Sequence, residues 1–530
     1  MQPPSEFTLE TSQPLNLAAF KSEIKVFRFK RTDFRLIFVH LPGPLSCASI
    51  VVPTICEDNK GLAHTLEHLV FCGSKSIPHR GYLDNLANRC LSTGTNAYTA
   101  QDHTCYEITT AGWQGMLNVF PTFLDHILHP TLKESQFTTE VYHLDHQAKH
   151  QGVVYCEMAS REDTEADLLD MELRRLVYQN STTYSHECGG LTEDIAKLSN
   201  KEIIEYHKQY YHLGVITAII TGDVRPDDLF KELLKHPELF DNAKDKIPEI
   251  LSVHPPSSKN VPHELVSSRL KFASAEEDVG SIGFAWMGPA SEDFKTIVAI
   301  DVLFRHLHET PASLLAQKFV ETASPLASDI DFELKGHVDT CLCLIFSGVP
   351  FSKEANGDDQ IGDGSTENSA SGSDDGENSE SPSVISERDD LFDENVFFNI
   401  LKKCLTCWID QGIPEPEGML STLKRHRQKV EEAFEEEPHE VVTNYIIADV
   451  IRYFLSEKSK DGDTRAQKGK PSFKGRSKVL DVIDELEKEP VQFWIDLAKK
   501  WLIDAPTYQV LMIPDAQMAI DKSASEVLLG

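Results

Sequence analysis

His64, Glu67 and His68 fall at positions i, i+3 and i+4 of the stretch Gly61-Leu62-Ala63-His64-Thr65-Leu66-Glu67-His68-Leu69-Val70-Phe71. On a helix these three side chains share one face. Two imidazoles four residues apart can both reach a single tetrahedral zinc, and the carboxylate between them lies near the fourth, water-bearing position. The bland alternative is a packed helix with two hydrogen-bonded histidines. A catalytic zinc needs a third protein ligand, so the motif is a hypothesis that the rest of the chain must complete.

The candidate for that ligand is Glu157, in Gly152-Val153-Val154-Tyr155-Cys156-Glu157-Met158. It opens a long polar helical pattern that runs to Tyr178, and the apolar Val153-Val154 pair is expected to bury it. Glu162 and Glu165 follow on the same helical pattern and compete with it. Between the two stretches lies Gly94-Thr95-Asn96-Ala97-Tyr98-Thr99-Ala100-Gln101-Asp102-His103-Thr104-Cys105-Tyr106. At these residues the sequence resembles the pitrilysin/insulysin family of metallopeptidases. It looks most like the presequence-protease branch, in which Gly-Val-Val-aromatic-x-Glu-Met carries the third ligand; His-x-x-Glu-His is the inverted zincin signature.

The resemblance implies one zinc per chain, bound by His64, His68 and Glu157, with Glu67 as the general base. It makes Asn96, Ala97, Tyr98 and Thr99 the strand that pairs with substrate backbone, and Phe71 a further substrate contact. The implied activity is zinc-dependent hydrolysis of internal bonds in peptides or unfolded segments. A non-catalytic, structural or partner-binding member of the same fold is the rival; such members usually lose the zinc residues, and all four are present here. In insulysin-like members a second glutamate lies seven residues before the ligand. Here that position is His150, so its supporting role does not carry over. The resemblance covers most of residues 20–240 and is only architectural from about 265 to 530.

The elements that must position these residues can be traced by periodicity. Lys25–Lys30, Phe34–His40 and Cys47–Val52 read as strands, with Asn59 as N-cap and Gly73 as C′ residue of the motif helix. Helical patterns follow at 81–91, 113–128 and 134–148, a strand at 104–109, a helix at 199–211 and a strand at 215–220. A Pro/Ser-rich boundary spans 254–264. Beyond it come strands at 266–273 and 281–286, a helix at 292–308, a strand at 340–346, helices at 394–411, 418–436, 439–456 and 490–502, and a strand at 508–513. Both halves thus run strands, helices, then a final strand, turn and helix. The expected fold is α+β: two related domains, 1–253 and 265–522, each a mainly antiparallel sheet covered by helices. Residues 523–530 look like a truncated helix start. The resembled enzymes are clamshells of four such domains, so this chain is expected to be a half-shell. Alone it should bind zinc yet cleave slowly or not at all, unless it pairs with a second half-shell or forms a homodimer.

The chain has 51 Lys+Arg against 84 Asp+Glu, a net charge of −33. That balance argues against general nucleic-acid binding and fits peptide partners that are neutral or basic. No apolar run approaches the length of a membrane span. The N-terminus has neither a secretory pattern nor the Arg-rich, acid-poor pattern of a transit peptide, and the 11 cysteines are odd in number and scattered; a cytoplasmic, reduced protein is expected. Residues 354–390 hold 12 acidic residues and one basic, without an aromatic, and are expected to be disordered. Residues 457–478 hold eight basic and three acidic residues and read as a solvated loop. Two further groupings read as decoys: His143, His146 and His150 as a possible helical metal face, and Cys404/Cys407 as core packing.

Overall fold

The computed structural model describes residues 4–17, 21–179, 182–240, 265–336, 338–351, 391–393, 395–413, 416–455 and 473–529. The linker 254–264, the acidic segment 354–390 and most of the basic loop 457–478 lie outside these residues.

Strands β1 (Phe7–Asn16), β2 (Lys21–Phe29), β3 (Arg35–His40), β4 (Leu45–Pro53), β5 (Ser92–Thr99) and β6 (His103–Ala111) belong to the first sheet; β7 (His143–Leu144) and β8 (His150–Gln151) form a separate ribbon. With β9 (Thr217–Gly222) the first sheet has seven strands in the order β1-β2-β3-β9-β4-β6-β5. The second has five: β10 (Val266–Ala273), β11 (Val279–Ala290), β12 (Asp329–Lys335), β13 (Asp339–Pro350) and β14 (Tyr508–Asp515), ordered β10-β14-β11-β13-β12. The last five strands of the first sheet repeat this order and sense. In each, one parallel pair (β3 with β9, β10 with β14) is followed by three antiparallel pairs. The two domains therefore share one frame.

In the first domain α1 (Leu62–Val70) and α2 (Tyr82–Arg89) connect β4 to β5. Then follow α3 (Trp113–Leu128), α4 (Glu134–Glu140), α5 (Val153–Arg161), α6 (Glu165–Tyr178), α7 (Thr192–Ile195), α8 (Asn200–Tyr210) and α9 (Pro226–Leu233). In the second, α10 (Phe294–His308) connects β11 to β12, and α11 (Val396–Asp410), α12 (Pro416–Glu436), α13 (Pro438–Leu455), α14 (Val479–Leu486) and α15 (Val491–Ala498) lead to β14 and α16 (Ala516–Leu529). The central strands β3 and β9 are buried almost throughout, as continuous apolar runs require when both faces of a sheet are covered.

Part of that cover is exchanged between the domains. Helix α6 packs on the second sheet, with Leu169 and Leu173 over Gly283, where a Cβ would lie 2.8 Å from Leu169. Helix α13 packs reciprocally on β4 and β9 of the first. Polar bonds fix both contacts: the Tyr178 hydroxyl donates to the Asp339 carbonyl at 2.8 Å, the Lys335 ammonium pairs with Asp170 at 2.6 Å, and Thr221 Oγ1 and His439 Nδ1 are 2.8 Å apart.

Several expectations are corrected. The helical pattern 134–148 ends at Glu140 because Asp145 captures the amides of Gln147 and Lys149 and Ala148 takes a left-handed φ of 61°. His143 and His150 fall on opposite strands of the β7–β8 ribbon, so no helical metal face exists there. The motif helix is capped by Gly61, not Asn59; Asn59 Oδ1 instead accepts the Glu187 amide. Strands β1 and β12 carry short polar alternations that periodicity did not single out. The described end of the basic loop is only partly solvated: Lys474 and Lys478 are exposed, but Arg476 is buried, donating to Asp449 at 2.6 Å and to Ser291 Oγ at 3.0 Å.

Candidate metal centre

Helix α1 is held at its start by a contact only glycine allows. Gly61 has φ 68°, and a Cβ there would lie 2.3 Å from the Gly189 carbonyl oxygen. That carbonyl then accepts from His64 Nδ1 at 3.1 Å. With the proton on Nδ1, Nε2 of His64 presents a lone pair. It lies 3.3 Å from His68 Nε2.

Glu157 enters from α5, which begins one residue after Gly152. At Gly152 φ is 130°, and a Cβ would lie 2.2 Å from the Val141 carbonyl oxygen. Glu157 Oε2 stands 3.6 Å from His64 Nε2 and 3.4 Å from His68 Nε2. With bond lengths of 2.0–2.2 Å, the edge of a tetrahedron around zinc is about 3.4 Å. The three donor atoms fit three corners of that tetrahedron. Among the described residues this is the one group of three metal-capable side chains whose donor atoms converge. Burial pushes the His68 imidazole down to about 4, with His64 adding to the effect, so the ring is neutral near pH 7.

Glu67 is buried beside this cluster, and its Oε2 accepts from Thr99 Oγ1 at 2.6 Å. Burial raises the Glu67 carboxyl above its usual range, while the Thr99 hydrogen bond opposes the shift. Thr99 ends β5, the edge strand of the first sheet. Of the other expected substrate contacts, Asn96 donates to Glu107 at 3.3 Å, Ala97 and Phe71 are half-buried against the core, and Tyr98 turns to the opposite face of the strand. There its hydroxyl meets His103 Nε2 at 3.3 Å.

Two expectations at the site need correction. Val153 and Val154 do not bury Glu157: the helix starts at Val153, so Val153 and Glu157 lie four apart on one outward face. Val153 is 49% exposed and the Glu157 side chain 40%, while Val154 and Met158 point inward. The helical pattern from Glu157 to Tyr178 is also broken at Glu162–Thr164. Glu162 accepts from the Thr192 amide at 2.8 Å, and Glu165 is half-buried beside Ser281 of the second sheet, so neither joins the cluster. The sequence motifs do not include Gly189 or the bond from Thr99 to Glu67. The Gly189-Gly190 pair was the visible signal for the first; nothing local marks the second.

Comparison with known proteins agrees with this frame. The family model described as insulinase (peptidase family M16) matches residues 56–166, and that described as the M16 inactive domain matches 197–348. The histidines, Glu67 and Glu157 all lie in the first region. An uncharacterised protein of Caenorhabditis elegans is 28% identical over 95% of this chain and 45% of its own length. The mitochondrial presequence protease of Drosophila melanogaster is 32% identical over 37% of this chain and 20% of its own length. A protease from Helicobacter pylori, whose crystal structure is 17% identical, superposes with a TM-score of 0.65 over 96% of this chain and all of that one. Fold and matched motifs together point to one family, that of the M16 peptidases. The chain belongs to the pitrilysin/insulysin family of peptidases, with presequence proteases among its relatives. It spans less than half the length of the curated relatives it matches. Among the described residues no helix is long and apolar enough to cross a membrane.

Proposed function

We propose that this chain is the zinc-bearing half of a metalloendopeptidase acting on extended peptides. The observation that carries the reading is the convergence of His64 Nε2, His68 Nε2 and Glu157 Oε2 at tetrahedral spacing, with Glu67 alongside. His64, His68 and Glu157 would hold a zinc ion, which would supply a Lewis acid for the scissile carbonyl and lower the pKa of a water. Glu67 takes the proton from the attacking water and returns it to the leaving amine. Thr99 fixes one oxygen of that carboxylate, so the base is oriented before substrate arrives. The open edge of β5 receives peptide backbone as an added strand, which gives affinity with loose sequence preference. A second half-shell, or a second copy of this chain, closes over the site and excludes water.

The test is a quenched peptide assayed on zinc-loaded protein, with and without chelator, on fractions sized by light scattering. Chelator-sensitive turnover confined to paired species is expected. No turnover in any fraction overturns the peptidase reading; rapid turnover by the monomer overturns the need for a partner.

A further inference from the structure

A cavity of about 240 Å³ lies between the domains, behind the strand that carries Thr99. Its walls are Tyr98 and His103 from the β5–β6 hairpin, Val338 from the β12–β13 turn of the second domain, and Ile447, Ala448 and Ile451 from α13. The last three recur at helical spacing and form one apolar stripe.

The register shows which face of the first sheet this is. Tyr98 stands opposite Cys105, Thr109 opposite Cys47, and Cys47 opposite Thr221. Paired residues, and residues four apart on a strand, share a face. Tyr98 therefore shares a face with Thr221, which α13 contacts through His439. Thr99 points the other way, to Glu67. An added strand on the edge of β5 alternates likewise, so a residue placed opposite Tyr98 projects away from the metal, on the cavity side.

The polar wall is fixed in advance. His103 Nδ1 donates to Asp102 Oδ1 at 2.7 Å, the Tyr98 hydroxyl meets His103 Nε2 at 3.3 Å, and the Tyr184 hydroxyl donates to Asp102 Oδ2 at 2.9 Å. The Val338 amide of the second domain donates to the Tyr184 hydroxyl at 3.0 Å. This chain of bonds crosses the domain boundary and holds the Tyr98 ring at the cavity wall. Arg452 also lines the space, but its guanidinium lies 3.7 Å from the Asp449 carboxylate. Selection there is by size and apolar surface more than by charge.

We infer that this interdomain cavity is a specificity pocket for one bulky apolar or aromatic side chain of the bound peptide, projecting away from the metal. The inference rests on the reading of β5 as the peptide-binding edge. It gives the second domain a part in choosing substrate even though it contributes no donor to the metal cluster.

The test uses Glu67→Gln full-length protein, so that peptide is not consumed, and calorimetric titration of two ten-residue peptides. Both alternate Ala and Lys; one carries a central Phe and the other Ala at that position. The Phe peptide should bind about tenfold tighter. Ala448→Phe, added to fill the cavity, should bring the ratio below about twofold while leaving the Ala peptide unchanged; an unaltered melting temperature shows that the variant folds. An unchanged ratio, no preference, or no binding of either peptide overturns the pocket. Wild-type cleavage of the same peptides separates the two readings. Cleavage with no effect of Ala448→Phe on the binding ratio sinks the pocket alone. A ratio that collapses, with no cleavage by any wild-type fraction, sinks the peptidase reading alone.

Discussion

The two domains are the same frame used twice, and one place in that frame shows what separates them. In the first, α1 after β4 faces α5, and His64, His68 and Glu157 meet there. In the second, α10 after β11 faces α12, and the corresponding ground holds Asp301, Arg305, Glu309, His426 and Lys429. Arg305 bonds Asp301 at 3.1 Å and Glu309 at 3.0 Å, Lys429 reaches Glu309, and His426 Nδ1 lies 3.4 Å from Asp301. The carboxylates are paired with cations, and Arg305, Arg425 and Lys429 gathered around Glu309 disfavour a metal ion there. The same helix pair holds a His-His-Glu cluster or an ion-pair clamp according to a few side chains, so such sites are grafted on the fold rather than given by it.

The sharpest way to break this comparison is to disable each place in turn. Glu67→Gln should retain zinc and cost about 10²–10⁴ in peptide hydrolysis. Glu309→Gln in the second domain should leave the rate within about twofold, since the clamp touches no reacting atom. Steady-state kinetics on both variants decides it; equal losses would mean that the two places act as one.

Thr99→Val sharpens the picture within the first domain. It removes the hydrogen bond to Glu67 Oε2 without changing shape. A hydrogen bond to a charged group is worth about 1.5–3 kcal/mol, so kcat should fall at least about tenfold with zinc content unchanged. A lost metal would instead give Thr99 a structural part in the cluster.

Gly61→Ala and Gly81→Ala compare two left-handed glycines that begin neighbouring helices. At Gly81 a Cβ meets nothing within 4 Å, so only backbone strain of about 1 kcal/mol is expected. At Gly61 it would strike the Gly189 carbonyl that holds His64, so a larger loss, about 2–3 kcal/mol, should come with weaker zinc binding. Denaturant melts and zinc titration check both.

The smallest effect belongs to the second-domain clamp. Asp301→Asn breaks partly exposed pairs and should cost about 1 kcal/mol or less, with metal content untouched.

Much of the frame was legible in the chain because it rests on periodicity. The helix Trp113–Leu128 and the strand Val266–Ala273 follow their patterns to the residue. Elements set by local polar capture were not legible: Asp145 turning the chain after α4 is one, and the split between α5 and α6 is another. At the site, identities were readable from motif spacing, but what holds them was not. Gly189 reaches His64 across 125 residues and Thr99 reaches Glu67 across 32, and no local pattern records such contacts. The exchange of α6 and α13 between sheets was equally hidden, since their apolar faces look the same whichever sheet they cover.

The central claim, that the first domain alone carries the metal, is tested most directly by zinc stoichiometry. Elemental analysis of wild-type, His68→Ala and Arg305→Met proteins should give one zinc per chain in the wild type, close to none after His68→Ala, and one again after Arg305→Met. Zinc that survives His68→Ala, or disappears with Arg305→Met, would contradict the account.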